Sequence, residues 1–237
     1  MFLNSYKKAL SVLAKKPFVL WGLSLMSGLL SILTGLFFGL IPALGIAVGY
    51  LLTCGMAKVY LDGLEGKAVY SDQLFAGFTK DCFRIAGGMA WKDLWILIWT
   101  LVPIVGPIIA IVKSYSYRFV PYILINRSDV KATEALRMSK EQTKGLKGEM
   151  FLADLCFGGG VFVVVLVLAL FSMIPILGLL FAMALFILAI LLLAFSSIFT
   201  GLYQAYFYEA RNAVAKAPAA PAQIAEPAPA AAEAPTE

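Results

Sequence analysis

The distribution of charge limits how this chain can fold more strongly than any other feature. No Asp, Glu, Lys or Arg occurs over the 41 residues 17–57, the 19 residues 94–112 or the 54 residues 155–208. One helical crossing of a bilayer needs about 20 apolar residues. The first and third stretches are each long enough for two crossings and the second for at least one. We therefore predict an integral membrane protein.

The composition and the positions of the basic residues agree with this prediction. Hydrophobic residues make up 61% of the chain and charged residues 14%, whereas soluble domains have roughly 45–50% and about 25%. The net charge of +5 could indicate nucleic-acid binding. However, Lys and Arg lie between the apolar stretches, where the preference of basic residues for the cytoplasmic side explains them. The expected partners are the lipid bilayer, anionic lipid headgroups and another membrane protein, and no nucleic acid.

A short motif recurs once in each charge-free stretch. Residues 40–45, 101–106 and 173–178 all read apolar-apolar-Pro-apolar-apolar-Gly. Proline removes a backbone donor and glycine tolerates unusual dihedral angles, so the motif indicates a tight turn between two helices. Three such turns predict an all-α membrane bundle of three hairpins. The six predicted crossings are 18–40, 43–61, 83–102, 107–125, 150–173 and 179–205.

Charge also decides between five and six crossings. With a single crossing in the middle stretch, the connection 113–149, with eight cationic and four acidic residues, would lie opposite the N-terminal lysines. That arrangement breaks the positive-inside rule. Six crossings return every charged connection to one side, and both termini are then expected on the cytoplasmic side of the cell membrane. An interfacial belt is predicted from tyrosines near the inner ends: Tyr60, Tyr122, Tyr203, Tyr206 and Tyr208.

The remaining segments are predicted to lie at or beyond the cytoplasmic surface. Residues 1–16 are expected to form an amphipathic helix with Tyr6, Leu10 and Leu13 on its apolar face. Further interfacial segments are expected at 71–85 and 129–146, the second a helix that ends at Gly145. The transmembrane domain then covers 17–211, and 212–237 is an Ala/Pro-rich tail with the composition of a disordered segment.

Ionisable residues in the middle hairpin are the candidate functional site. Folding the chain about residue 105 brings Asp93 close to Arg118, or to Lys113 one turn higher, and Lys92 lies beside it. Charge within a bilayer is costly, so pairing or a hydrated cavity is expected. Either these residues line a polar cavity that binds an ion, a proton or an anionic headgroup, or they extend to the cytoplasmic interface for structural reasons. Asp154, near an inner end, is interpreted as interfacial.

The sequence offers little to indicate catalysis. The chain has no histidine and no phosphate-binding glycine loop. Asp62-Gly63 resembles the start of a lipid-headgroup transferase motif, but the further paired aspartates are missing. No cofactor or metal is expected, and Cys54, Cys82 and Cys156 are interpreted as reduced packing residues. The favoured function is a non-enzymatic scaffold or accessory subunit. A small transporter or channel and a lipid-headgroup binder are the alternatives.

The stretch 103–157 carries a family resemblance. Its most specific residues are Pro103, Lys113-Ser114-Tyr115-Ser116-Tyr117, Pro121-Tyr122-Ile123-Leu124, Glu134-Ala135-Leu136, Ser139 and Lys144-Gly145, with support from residues 6–10 and 75–78. It resembles a bacterial family of integral membrane proteins, family 975 of the domains of unknown function. That family is distantly similar to the membrane domain of some glycerophosphoryl diester phosphodiesterases. The resemblance implies a six-helix membrane bundle and no particular activity. It also implies a glycine directly after Pro103, where this chain has Ile104.

Overall fold

The structure, a computed structural model, describes residues 1–15, 17–37, 42–79, 81–172 and 178–216. Within these residues it contains nine α-helices, one 3₁₀ helix at Ser71–Phe78 and no strand, which confirms the predicted all-α class. The α-helices are α1 Phe2–Lys15, α2 Pro17–Phe37, α3 Pro42–Leu64, α4 Cys82–Thr100, α5 Gly106–Ser116, α6 Val120–Asn126, α7 Ala132–Gln142, α8 Lys147–Ser172 and α9 Gly178–Lys216.

Among the described residues, four segments are long and apolar enough to cross a membrane. They are α2, α3, the α5–α6 segment Gly106–Asn126, and α8. The other two predicted crossings also coincide with helices, namely α4 and the first part of α9. Helices that follow one another along the chain pack together, namely α2 with α3, α3 with α4, α4 with α5, and α8 with α9. Helix α9 continues to Lys216, so residues 212–216 of the predicted tail are helical, while residues 217–237 lie outside the described part of the chain.

The middle copy of the repeated motif forms the predicted turn, between the end of α4 at Thr100 and the start of α5 at Gly106. A Cβ atom on Gly106 would collide with the carbonyl oxygen of Trp99, so glycine is needed there for close packing. The positive φ angle, 66°, falls instead on Ile104. In the other two copies, residues 38–41 and 173–177 lie outside the described residues.

The fourth predicted crossing is not one continuous helix. Helix α5 ends at Ser116, α6 begins at Val120, and residues 117–119 form a turn. Pro121 has no N–H to donate to the carbonyl of Tyr117, which instead accepts a 3.2 Å hydrogen bond from the amide of Val120. The predicted crossing 107–125 falls within the apolar segment Gly106–Asn126, but the break at 117–119 was not predicted, because the prediction did not allow for this proline.

Helix α7 supplies the hydrogen bonds that the broken helix lacks. The fully buried hydroxyl of Ser139 donates to the carbonyl of Ser116 at 2.8 Å and accepts from the amide of Phe119 at 3.2 Å. The hydroxyl of Thr143 lies 3.3 Å from the same Ser116 carbonyl. Non-helical backbone at membrane depth is stable only where protein or water satisfies it. The helix predicted over 129–146 is shorter than expected, Ala132–Gln142. Its Ser139 connects it to both sides of the break between α5 and α6.

Helix α1 contacts four other helices, α2, α3, α8 and α9. The amide of Phe2 donates to the Glu149 carboxylate of α8 at 3.1 Å, and the ring of Tyr6 packs against Tyr203 of α9 at 5.8 Å. Further along, Val12 is buried near Gly63 of α3. The amphipathic helix is confirmed, but its buried face centres on Ala9, and Leu10 is exposed.

The predicted interfacial segment 71–85 divides into two elements. Its first part is the 3₁₀ helix, which packs along α3 so closely that a Cβ atom on Gly55 would overlap the carbonyl of Leu74. Its last part, from Cys82, is the first turn of α4. The segment is therefore packed against the bundle rather than lying free in the headgroup layer.

Candidate functional site

The four candidate residues of the middle hairpin have partners that differ from the predicted ones. Asp93 pairs with its neighbour Lys92 at 3.1 Å, and the ammonium of Lys113 lies over the ring of Trp99, 5.7 Å from its centroid. Arg118 pairs with Asp154 of α8 at 2.6 Å. The predicted approach of Asp93 to Arg118 or Lys113 is wrong, because Asp93 pairs with the adjacent Lys92 and Arg118 pairs with Asp154 on a third helix.

Asp154 is the centre of a polar cluster that joins three helices. Its carboxylate accepts hydrogen bonds from Arg118, from the hydroxyl of Tyr115 at 2.8 Å and from the hydroxyl of Tyr203. The guanidinium of Arg118 also lies over the ring of Tyr115, 4.5 Å from its centroid. We call these four residues the Asp154 cluster. A shielded ion pair stabilises only when further hydrogen bonds satisfy it, and here two tyrosines do so.

The tyrosines of the predicted interfacial belt are mostly inside the protein. Tyr60, Tyr122, Tyr203 and Tyr208 are all buried. The hydroxyls of Tyr60 and Tyr122 donate to backbone carbonyls of α9, at Ser197 and Gly201, over 3.1 and 3.0 Å. The belt prediction is therefore wrong for these four, because the hydroxyls of Tyr60, Tyr122 and Tyr203 bond within the bundle and the ring of Tyr208 stacks on that of Tyr122.

A cavity of about 280 Å³ between α3, α4, α5, α6 and α9 contains two of the four candidate residues. We call it the middle cavity. It is lined by Thr53, Met89, Lys92, Ile96, Ser114, Tyr117, Arg118, Pro121 and Gln204. Asp93 and Lys113 are not part of this lining. The charged lining thus consists of Lys92 and Arg118, with no carboxylate among the described lining residues.

A second cavity of about 220 Å³ adjoins the first and shares Thr53, Pro121 and Gln204 with it. Its other lining residues are Ser27, Met56, Ala57, Tyr60, Tyr122, Ser197, Thr200 and Gly201. Hydroxyl groups are frequent and no described lining residue is charged. The two cavities together give the bundle a polar interior whose charged lining residues, Lys92 and Arg118, lie at one end and are paired with Asp93 and Asp154.

A third cavity of about 260 Å³ lies where the inner ends of α3 and α9 meet. Asp62 is buried there and binds Lys58 at 3.1 Å and Lys67 at 3.9 Å, so the Asp62-Gly63 pair belongs to an ion network. Glu209 lies on α9 beyond the predicted crossing, and its Oε1 atom is buried without a hydrogen-bond partner among the described residues. Burial, and then the negative charge of Glu65, raises the pKa of Glu209 from 4.5 to about 7.

Metal-binding and thiol chemistry find little support in the described part of the chain. No group of three or more Asp, Glu or Cys residues within it could hold a metal ion. The three cysteines are free, and Cys54 is buried as predicted. Cys156 is exposed, so its interpretation as a packing residue is wrong.

Comparison with known proteins adds no relative from which a function could be transferred. The chain matches no family model, no curated protein and no solved structure. The resemblance to family 975 of the domains of unknown function therefore stays a prediction. Any functional conclusion has to come from the chain's own residues.

Proposed function

We propose that this chain is a membrane protein with six helical crossings that binds a small anionic ligand in the middle cavity. The observation that carries the proposal is the lining of that cavity, where Lys92 and Arg118 face a shared space with no carboxylate among the described lining residues. This lining favours ligand binding or transport over a purely structural role for the charges of the middle hairpin.

The proposed topology has two crossings in each charge-free stretch and both termini in the cytoplasm. The packing of α2 with α3, α4 with α5, and α8 with α9 supports three hairpins. A fluorescent or enzymatic topology reporter at the N-terminus and another beside Ser128 would both be found on the cytoplasmic side. If the reporter beside Ser128 faced outwards while the N-terminal one did not, the topology would be wrong.

The chemistry of the two cations supports an anionic ligand. Arg118 binds Asp154 through Nη1, and a guanidinium has five N–H donors, so further donors are left for a ligand. Lys92 brings an ammonium group and Gln204 an amide, while the hydroxyls of Thr53 and Ser114 already donate to backbone carbonyls of their own helices. Arginine and lysine are the usual donors to phosphate and carboxylate oxygens.

A cysteine at Thr53 provides a direct test, because this exposed residue lines both adjoining cavities. In a Thr53→Cys variant without Cys82 and Cys156, the modification rates by negatively and positively charged methanethiosulfonates are compared. The control is a cysteine at the exposed residue Thr79. We expect the ratio of the negative-reagent rate to the positive-reagent rate to be several-fold higher at position 53 than at position 79. Inorganic phosphate should slow the reaction of the negative reagent at position 53.

The charge of Lys92 should account for much of that preference. A Lys92→Gln substitution in the same background is expected to lower the preference for the negative reagent, while Lys131→Gln, in the exposed connection before α7, leaves it unchanged. Equal reagent ratios at Thr53 and Thr79 would contradict an anion-binding cavity. A failure of either reagent to reach Thr53→Cys would show that the cavity is not hydrated.

An accessory role in a membrane complex is the second candidate function. None of the most apolar 18 residues of α8 is fully buried within the chain, so either lipid or a partner helix has to cover their exposed surface. Purification in mild detergent should yield a stoichiometric partner that is lost on a Val165→Trp substitution in α8. An Asp93→Asn substitution separates the two functions, because it removes the ion-pair partner of the cavity residue Lys92 and lies on α4, not on α8.

A further inference from the structure

An apolar groove of about 440 Å³ is lined by residues of α1, α8 and α9. Its lining residues are Tyr6, Leu10, Cys156, Phe157, Gly160, Val161, Val164, Leu192, Phe195 and Phe199. The rings of Phe157 and Phe195 both pack against Phe199, with centroids 5.0 and 5.6 Å apart. The hydroxyl of Tyr6 donates to the carbonyl of Ala153. The groove therefore has almost no polar group with which to hold water.

The dimensions of the groove favour a hydrocarbon chain over a protein segment. Along α8 it runs from Cys156 to Val164, which is about 12 Å at the helical rise of 1.5 Å per residue. A transmembrane helix is about 30 Å long and about 10–12 Å wide with its side chains, so most of it would lie outside a groove of this length. A single acyl chain matches the length and the apolar lining better.

The charge beside the groove identifies the kind of lipid. Helix α1 carries Lys7, Lys8 and Lys15 and no acidic residue. Lys7 is exposed, follows groove residue Tyr6 directly and lies one helical turn from groove residue Leu10. Basic residues at a membrane surface attract anionic headgroups. Positive charge thus lies at the edge of an apolar groove, which is the arrangement that complements a phospholipid with a negatively charged headgroup.

We infer that the groove binds one anionic phospholipid, with an acyl chain between α1, α8 and α9 and the phosphate near Lys7. This site is separate from the middle cavity: the two linings have no residue in common. The inference therefore does not depend on the proposed function. The bound lipid would fix α1 against α8 and α9.

Neighbouring glycines in α8 give a matched test of the groove. A Cβ atom on Gly160 or on Gly159 would meet no other atom within 4 Å, but only Gly160 lines the groove. The full chain, purified in detergent, is titrated with dioleoyl phosphatidylglycerol or dioleoyl phosphatidylcholine, and bound lipid is counted by native mass spectrometry. We expect one tight phosphatidylglycerol adduct that Gly160→Leu weakens at least tenfold and Gly159→Leu does not.

Further variants test the headgroup and guard against misfolding. Lys7→Gln should lower the preference for phosphatidylglycerol about fivefold, the effect of one basic residue at an anionic surface, whereas Lys15→Gln, away from the groove, should not. If Gly160→Leu fails to fold, Val164→Phe should block the groove, with Val163→Phe as its control. Equal lipid binding by the groove variant and its control, or equal binding of both lipids by the unmodified chain, would overturn the inference.

Discussion

Removal of the Ser139 hydroxyl should destabilise the protein strongly although Ser139 lies on a short helix outside the predicted crossings. The hydroxyl serves both ends of the break in the fourth crossing, because it donates to the Ser116 carbonyl at 2.8 Å and accepts from the Phe119 amide at 3.2 Å. Ser139 and Phe119 are both fully buried. After a Ser139→Ala substitution, no water could easily replace the lost oxygen.

The size of the effect follows from what each backbone group loses. The Ser116 carbonyl keeps the Thr143 hydroxyl at 3.3 Å, so its loss is one ordinary hydrogen bond, about 0.5–1.5 kcal/mol. The amide of Phe119 is left buried without an acceptor, which costs about 1–3 kcal/mol. We expect the free energy of unfolding to fall by about 2–3 kcal/mol.

The measurement is the unfolding equilibrium in mixed micelles with increasing SDS, followed by circular dichroism. Ser128→Ala is the matched control, because Ser128 is an exposed serine in the connection before α7. Ser139→Ala should shift the midpoint to lower SDS fractions, and Ser128→Ala should leave it in place. A change of less than about 0.5 kcal/mol for Ser139→Ala would refute the idea that α7 supports the broken helix.

Three further substitutions test other parts of the structure. Asp154→Asn leaves Arg118 without its counter-charge and should lower the unfolding free energy by about 3 kcal/mol; an added Arg118→Gln should restore part of it, and additive losses would contradict the pairing. Ile104→Gly should raise the unfolding free energy by about 1 kcal/mol, because φ is 66° and the side chain is 91% exposed; a loss of stability would contradict this. Glu209 has a pKa of about 7 in the folded protein and 4.5 as its ordinary value, so its charge destabilises the fold as the pH rises through this range. Glu209→Gln should therefore raise the melting temperature at pH 8 with a gain that disappears by about pH 4.5, and a gain independent of pH would contradict the burial of this carboxyl.

Hydropathy and turn chemistry predicted the helices because both are local properties of the chain. The predicted crossing 43–61 falls within Pro42–Leu64, and 83–102 largely coincides with Cys82–Thr100. Each boundary follows from a proline, a glycine or a change in charge nearby. The break at 117–119 was missed even though Pro121 is visible in the sequence, because prolines were read only as turns between crossings.

The pairing of side chains was harder to predict because it depends on helices that are distant in sequence. The predicted fold about residue 105 placed positions 92 and 118 near each other, and both side chains line the middle cavity in the structure. It could not identify Asp154 as the partner of Arg118, since α8 belongs to another predicted hairpin. The available signal was that Asp154 is the last charged residue before the longest charge-free stretch, which makes its charge costly to leave unpaired.

The support that α7 gives to the broken helix also sets an order of events during biosynthesis. Ser139 follows Phe119 by 20 residues, and a ribosome adding about 5–20 residues per second makes it about 1–4 seconds later. During that interval the amide of Phe119 and the carbonyl of Ser116 lack their native partner. The middle hairpin therefore reaches its final form only when α7 packs against it, so a truncation before Ser139 should leave a nascent chain that the quality-control machinery recognises as immature.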